Sequence, residues 1–171
     1  MTRAAATHKN GSISRALGTI YDKAIDWLYS RNCPDRAKPY TLQLRRLVDK
    51  SDPEREAIFT HECLALADEA EGNLAQAIKH RLEEIRLIRR LHKLARGQDS
   101  RNADYIFRQY GPADLRDRLY LLARLYGATG NLRKAIASLE ESKKVCEASG
   151  IKFEQEKLLR KYLRETNASP A

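Results

Sequence analysis

Two stretches of the chain read almost alike: Leu64 to Ile78 is LALADEAEGNLAQAI, and Leu122 to Ile136 is LARLYGATGNLRKAI. Eight of the fifteen aligned positions are identical, at a constant offset of 58 residues: Leu64, Ala65, Ala70, Gly72, Asn73, Leu74, Ala77 and Ile78 with their counterparts. Each copy places leucine and alanine three or four positions apart on either side of Gly-Asn. That spacing predicts a helix, a tight turn and a second helix. Glycine can end the first helix in a left-handed conformation, asparagine suits the start of the next, and the small alanines let the two backbones approach. A duplicated helical hairpin is therefore the first expectation.

The same periodicity extends outward in both directions. Ile13, Leu17, Ile20, Ala24 and Leu28 form one apolar stripe, flanked by Tyr21 and Trp27. The stretch from Asn32 to Pro39 reads as a break, and Leu44, Leu47 and Val48 as a short helix before Ser51. Ser51-Asp52-Pro53-Glu54 fits a capping box, so a helix should start there and run to about Glu71. Leu74, Ala77, Ile78, Leu82, Ile85, Ile88, Leu91 and Ala95 predict one long helix up to Gly97. Gln98 to Gly111 is the least regular stretch, with Tyr105, Ile106, Phe107 and Tyr110 suited to a short helix over the core. Pro112 fits the first turn of a helix carrying Leu115, Leu119, Leu122 and Tyr126. A partner helix runs from about Leu132 to Ala148, and a last one carries Phe153, Leu158, Leu159 and Tyr162. The fold class expected is all-α, as antiparallel helix pairs.

At the duplicated residues the sequence resembles the tetratricopeptide repeat, a two-helix unit patterned leucine, small residue, aromatic, glycine turn, alanine. In the second copy Leu119, Leu122, Ala123, Tyr126, Gly130, Ala135 and Leu139 follow that order. The first copy matches through Leu64, Ala65, Gly72 and Ala77 and departs at Asp68, where the aromatic belongs, and at Arg81. The resemblance covers roughly Ile58 to Ala148 and implies a short, right-handed TPR-like superhelix. The organisation expected is a flexible start over 1–11, a single domain over 12–165 and a polar tail over 166–171. Repeat-like units then occupy about 54–96 and 113–148, with an insertion at 97–111.

Chain length and a hydrophobic share of 42% suit one domain-sized core. Three cysteines, Cys33, Cys63 and Cys146, are an odd number without CxxC spacing, which argues against a disulfide framework or a zinc ribbon. No stretch approaches a membrane span and no apolar leader opens the chain, so a cytoplasmic protein is expected. No HExxH, GxSxG, phosphate-binding loop or GxGxxG motif occurs. His61 and Cys63 are two apart on a helix and point away from each other, so no metal is expected there; His80 and Glu84 are four apart and could touch. Neither a catalytic residue nor a cofactor is expected, and an enzyme is the least favoured class.

Binding is the better reading. The resemblance implies that the first helix of each unit lines a concave groove. This maps to Phe59, Glu62, Leu66 and Glu69 in the first copy, and to Asp117, Tyr120 and Arg124 in the second. The function expected is a non-catalytic adaptor or scaffold that binds another protein or a peptide. With only two units, self-association would lengthen its groove.

A formal charge of +9 raises the alternative of a basic helical nucleic-acid-binding protein. Arg86, Arg89, Arg90, Lys93 and Arg96, with Lys79, crowd the long helix, while Lys157, Arg160, Lys161 and Arg164 crowd the last. The charge is spread, at +6 over residues 1–50, −2 over 51–100 and +5 over 101–171. Glu83, Glu84 and the acidic run Glu62, Asp68, Glu69 and Glu71 are within reach to neutralise the long-helix cluster, which favours the groove over the basic stripe.

Overall fold

The computed structural model describes residues 17–48, 57–96 and 110–168. The expectations for Ile13, the capping box at Ser51 to Glu54, Gly97 as a helix stop, and a short helix around Tyr105 to Phe107 lie outside the described residues, as do the start of the chain and the end of its tail. Every regular element among the described residues is helical. The first helix, α1, covers 17–25 and widens into a π-turn at Asp26–Ser30. It is followed by α2 (Pro34–Val48), α3 (Ala57–Glu71), α4 (Leu74–Ala95), α5 (Pro112–Ala128), α6 (Leu132–Ser149) and α7 (Glu156–Ala168).

One boundary differs from the sequence reading. The break after α1 spans only Arg31 to Cys33, and α2 starts at Pro34 and carries Pro39 inside it. Pro34 occupies the first helical position, where its missing N–H costs nothing, and the Cys33 carbonyl accepts from the N–H groups of Arg36 and Ala37 at 3.1 and 3.2 Å. Pro39 deprives the helix of one donor. That loss falls on an exposed residue, where water can serve the carbonyl one turn back.

The two Gly-Asn turns share their backbone bonds but differ at the cap: the Asn131 side chain accepts from the Lys134 N–H at 3.3 Å, whereas the Asn73 side chain donates to Glu71 at 3.3 Å. Gly72 and Gly130 have φ of 83° and 75°, a left-handed conformation that glycine adopts without a Cβ penalty. The Asn73 N–H donates to the Asp68 carbonyl at 2.7 Å, and the Asn131 N–H to the Tyr126 carbonyl at 2.8 Å. Ala77 N–H reaches the Asn73 carbonyl at 3.1 Å, and Ala135 N–H the Asn131 carbonyl at 3.0 Å. Ala65, Ala77, Leu122, Ala123 and Ala135 are buried as expected, while Leu64, Ile78 and Ile136 are half-buried.

The chain divides into two compact units, Met1–Ala77 and Ile78–Ala171. In the first, Ala24 and Leu28 of α1, Ala37 and Leu44 of α2, and Cys63, Leu66 and Ala70 of α3 form one apolar cluster. Tyr21, Trp27, Tyr40 and Phe59 pack against its edge. One buried charge on α3, Asp68, and an exposed one, Glu71, share a partner on α2. Asp68, at the position where the repeat pattern wants an aromatic, pairs with Arg45 of α2 at 2.7 Å, and Arg45 also reaches Glu71 at 3.3 Å.

In the second unit, Pro112 opens α5 and the Asp114 carboxylate accepts from the Gly111 N–H at 3.0 Å, satisfying a donor the first turn would leave exposed. Ala123 of α5, Ala135 and Leu139 of α6, and Leu159 and Tyr162 of α7 make the apolar cluster, with Tyr120, Tyr126, Ile136, Phe153 and Leu158 around it. A charged triad lies elsewhere in this unit. Arg81 and Glu84 are fully buried and pair at 2.7 Å, and the other Glu84 oxygen accepts from Arg118 Nε at 2.5 Å. Burying these charges is tolerable because each carboxylate oxygen meets a guanidinium.

Candidate functional site

The first-copy stripe is not an open surface. Leu66 is fully buried and Glu62 is only 5% exposed. Helix α1 lies along this face: the Tyr21 hydroxyl donates to Glu62, the Tyr29 hydroxyl donates to Glu69 at 2.7 Å, and Phe59 packs beside Tyr21 with ring centroids 6.0 Å apart. The expectation that Phe59, Glu62, Leu66 and Glu69 face a ligand is corrected to this extent: α1 covers them. The apolar stripe of α1 needed a partner, and the matching apolar face of α3 supplied it.

The second-copy stripe has a different setting. Tyr120 and Arg124 of α5 line a concave site of about 340 Å³ together with Gly127, Ala128 and, from α7, Leu158, Lys161, Tyr162 and Glu165. Asp117 is half-exposed one turn earlier on α5 and pairs with Arg116 at 2.8 Å. The α7 residues arrive at intervals of three or four, so one face of that helix supplies them all. Lys161 and Glu165 pair across one helical turn at 3.7 Å. The floor is aromatic and polar at once. Tyr162 is 7% exposed and its phenol lies directly over Gly127, where a Cβ would sit 2.5 Å from Cζ and closer still to the hydroxyl oxygen. Burial pushes the Tyr162 phenol above its ordinary pKa, the Glu165 carboxylate pushes it further, and Arg124 opposes them. The hydroxyl therefore stays protonated and able to donate at neutral pH. Two cations, one carboxylate and two phenols suit recognition of an anionic group next to an apolar or aromatic one. The repeat resemblance maps Tyr120 and Arg124 to a groove but not Lys161 and Tyr162, which in the sequence mark only a basic last helix and its apolar stripe.

The basic stripe of α4 is partly neutralised. Arg86 makes two bonds to Glu83, at 2.8 and 2.5 Å, and Arg89 pairs with Glu141 of α6. Arg90, Lys93 and Arg96 are exposed and make no ion pair among the described residues. Glu84, within sequence reach of His80, gives its oxygens to Arg81 and Arg118 instead. The Arg81–Glu84 spacing of three was the available signal for that pair.

Among the described residues, no three His, Cys, Asp or Glu side chains gather as a metal site would require, and no helix is long and apolar enough to cross a membrane. Cys63 and Cys146 are buried and Cys33 half-buried, and none of the three is in a disulfide. Comparison with known proteins finds no matching family model, no matching curated protein and no matching solved structure.

Proposed function

We propose that this chain is a non-catalytic, TPR-like protein-interaction module of the cytoplasm, an adaptor or scaffold whose binding site is the cleft between α5 and α7. One observation carries the reading. Tyr120 and Arg124, the residues that the repeat pattern assigns to the groove, share a cleft with Lys161, Tyr162 and Glu165 of the next helix. The shared backbone bonds of the Gly72-Asn73 and Gly130-Asn131 turns support the repeat reading, since equivalent units need similar turns. The occupant best matched is an extended peptide with a carboxylate side chain beside an aromatic or aliphatic residue. The carboxylate would pair with Arg124 or Lys161, and the apolar residue would lie on Tyr120 and Leu158.

The test is titration of dye-labelled peptides, acidic-aromatic against charge-reversed, followed by fluorescence anisotropy. Binding of the acidic-aromatic set should weaken at least about tenfold in Tyr120→Ala and in Arg124→Gln, because aromatic and Arg residues anchor interfaces. Arg90→Gln with Lys93→Gln should leave it unchanged. Equal binding of the two peptide sets, or indifference to both cleft variants, would refute the proposal.

A further inference from the structure

The first unit carries a second exposed feature, independent of the α5–α7 cleft. Trp27 of α1 is half-buried against the core, and two guanidinium groups sit over its ring: Arg31 at 4.6 Å and Arg36 at 4.9 Å from the centroid. One comes from the exit of α1 and the other from the first turn of α2. A few residues along the same helix pair the roles reverse, with Lys23 of α1 over the ring of Tyr40 of α2 at 5.6 Å. Residues 23 and 27 are four apart on α1, and 36 and 40 four apart on α2, so the contacts form two rungs across an antiparallel pair. The result is a seam in which three cations alternate with two aromatic rings.

The backbone between the helices is unusual at this point. The last turn of α1 is π-helical over Asp26–Ser30, and Asn32 holds a φ of 49°, left-handed and outside glycine. Both are uncommon conformations that recur at functional sites. Here they turn the chain tightly enough for Arg31 and Arg36 to reach one indole.

Like charges gathered on one ring repel each other, and the local acids offset them only in part. Asp26 pairs with Arg31 at 2.7 Å, but both side chains are about half exposed, where an ion pair is worth little. Asp35 is taken by Lys38 at 2.7 Å. Lys23 and Arg36 make no ion pair among the described residues. A guanidinium held over a ring can still grip a phosphate through its edge donors, and Arg31 has its terminal amino groups for this after giving Nε to Asp26.

We propose that this α1–α2 seam binds single-stranded nucleic acid, with Arg36, Arg31 and Lys23 on consecutive phosphates and the rim of Tyr40 against a base. Lys23 lies about two helical turns before Arg31, so the cations are spread along the seam rather than gathered around one isolated ion. Cations interleaved with aromatic rings suit unpaired strands, whose bases can meet a ring, whereas a duplex keeps its base faces stacked.

The experiment is anisotropy of the full chain with a dye-labelled 12-nucleotide uridine RNA between 50 and 200 mM salt, with duplex DNA of equal length and polyglutamate as competitors. Three phosphate contacts predict a slope of about −2 in the log–log plot of affinity against salt. Arg31→Gln with Arg36→Gln should reduce the slope by about 1.4 and weaken binding about 50-fold at 50 mM salt. Arg90→Gln with Lys93→Gln on α4 serves as a charge-matched control and should change neither. Ultraviolet crosslinking of the unmodified protein to the RNA, mapped by mass spectrometry, should mark the peptides carrying Trp27 and Tyr40 even if the double variant fails to fold. The proposal is overturned by absent binding at 50 mM salt, by crosslinks confined to other helices, by an equal loss in the α4 control, or by displacement by duplex or polyglutamate as readily as by unlabelled RNA.

Discussion

Gly127 is the position where one methyl group tests the packing of the candidate cleft. It lies inside α5, so replacing it with alanine should by helix propensity stabilise the protein by about 0.5–1 kcal/mol. The structure reverses that sign. An alanine Cβ would fall 2.5 Å from Tyr162 Cζ and nearer to its hydroxyl, so the ring must swing away from α5. A tyrosine buries about 150–250 Å². Exposing roughly 100 Å² of it costs about 2.5 kcal/mol at about 25 cal/mol per Å². The net expectation for Gly127→Ala is a loss of about 1.5–2 kcal/mol, or a fall in Tm of about 3–8 °C for a chain of this size. Urea and thermal unfolding by circular dichroism would measure it. The double-mutant cycle is decisive: in a Tyr162→Ala background the clash is gone, and Gly127→Ala should then stabilise by up to about 1 kcal/mol. A Gly127→Ala protein as stable as the parent, or the same destabilisation in both backgrounds, would show that Tyr162 does not lean on α5 as described.

Further expectations follow from the same geometry. Glu84→Gln leaves Arg81 buried with a weakened partner and should cost about 3–5 kcal/mol in urea unfolding. Glu141→Gln, which removes the exposed partner of Arg89, should cost under about 1 kcal/mol. Gly72→Ala and Gly130→Ala each force a Cβ into a left-handed turn and should lose similar amounts, about 1–2 kcal/mol; a large inequality in thermal stability would show that the two turns are not equivalent. Burial raises the Cys146 thiol and the Tyr126 and Tyr162 phenols above ordinary values of 9.0 and 10.0. The unfolded chain therefore ionises first, and the contribution of these groups is full below about pH 9 and lost as pH rises through their folded values. The urea midpoint should fall on that alkaline side, and Cys146→Ala with Tyr162→Phe should flatten the decline.

The helical class, the places where most helices stop and the two equivalent turns were legible in the chain itself, because they depend on local rules. Apolar residues at a period near 3.6 declare a helix wherever they occur, and Gly-Asn declares its turn through the conformational freedom of glycine alone. Pro39 shows the limit of such rules: a proline read as a break was carried within α2, since one lost hydrogen bond at an exposed position is less than the packing of Ala37 and Leu44 regains. Tertiary structure alone decided which stripes remained open. Phe59, Glu62, Leu66 and Glu69 had the same spacing logic as Tyr120 and Arg124, yet α1 covered the first set and α7 left the second beside a cleft. Asp68 and Arg81, which departed from the repeat pattern, acquired Arg45 and Glu84 as partners, the first of them 23 residues away. Spacing within one helix specifies a face. What meets that face depends on residues distant in the chain, and so the cleft, the charged triad and the cation–aromatic seam came into view only once the helices were packed.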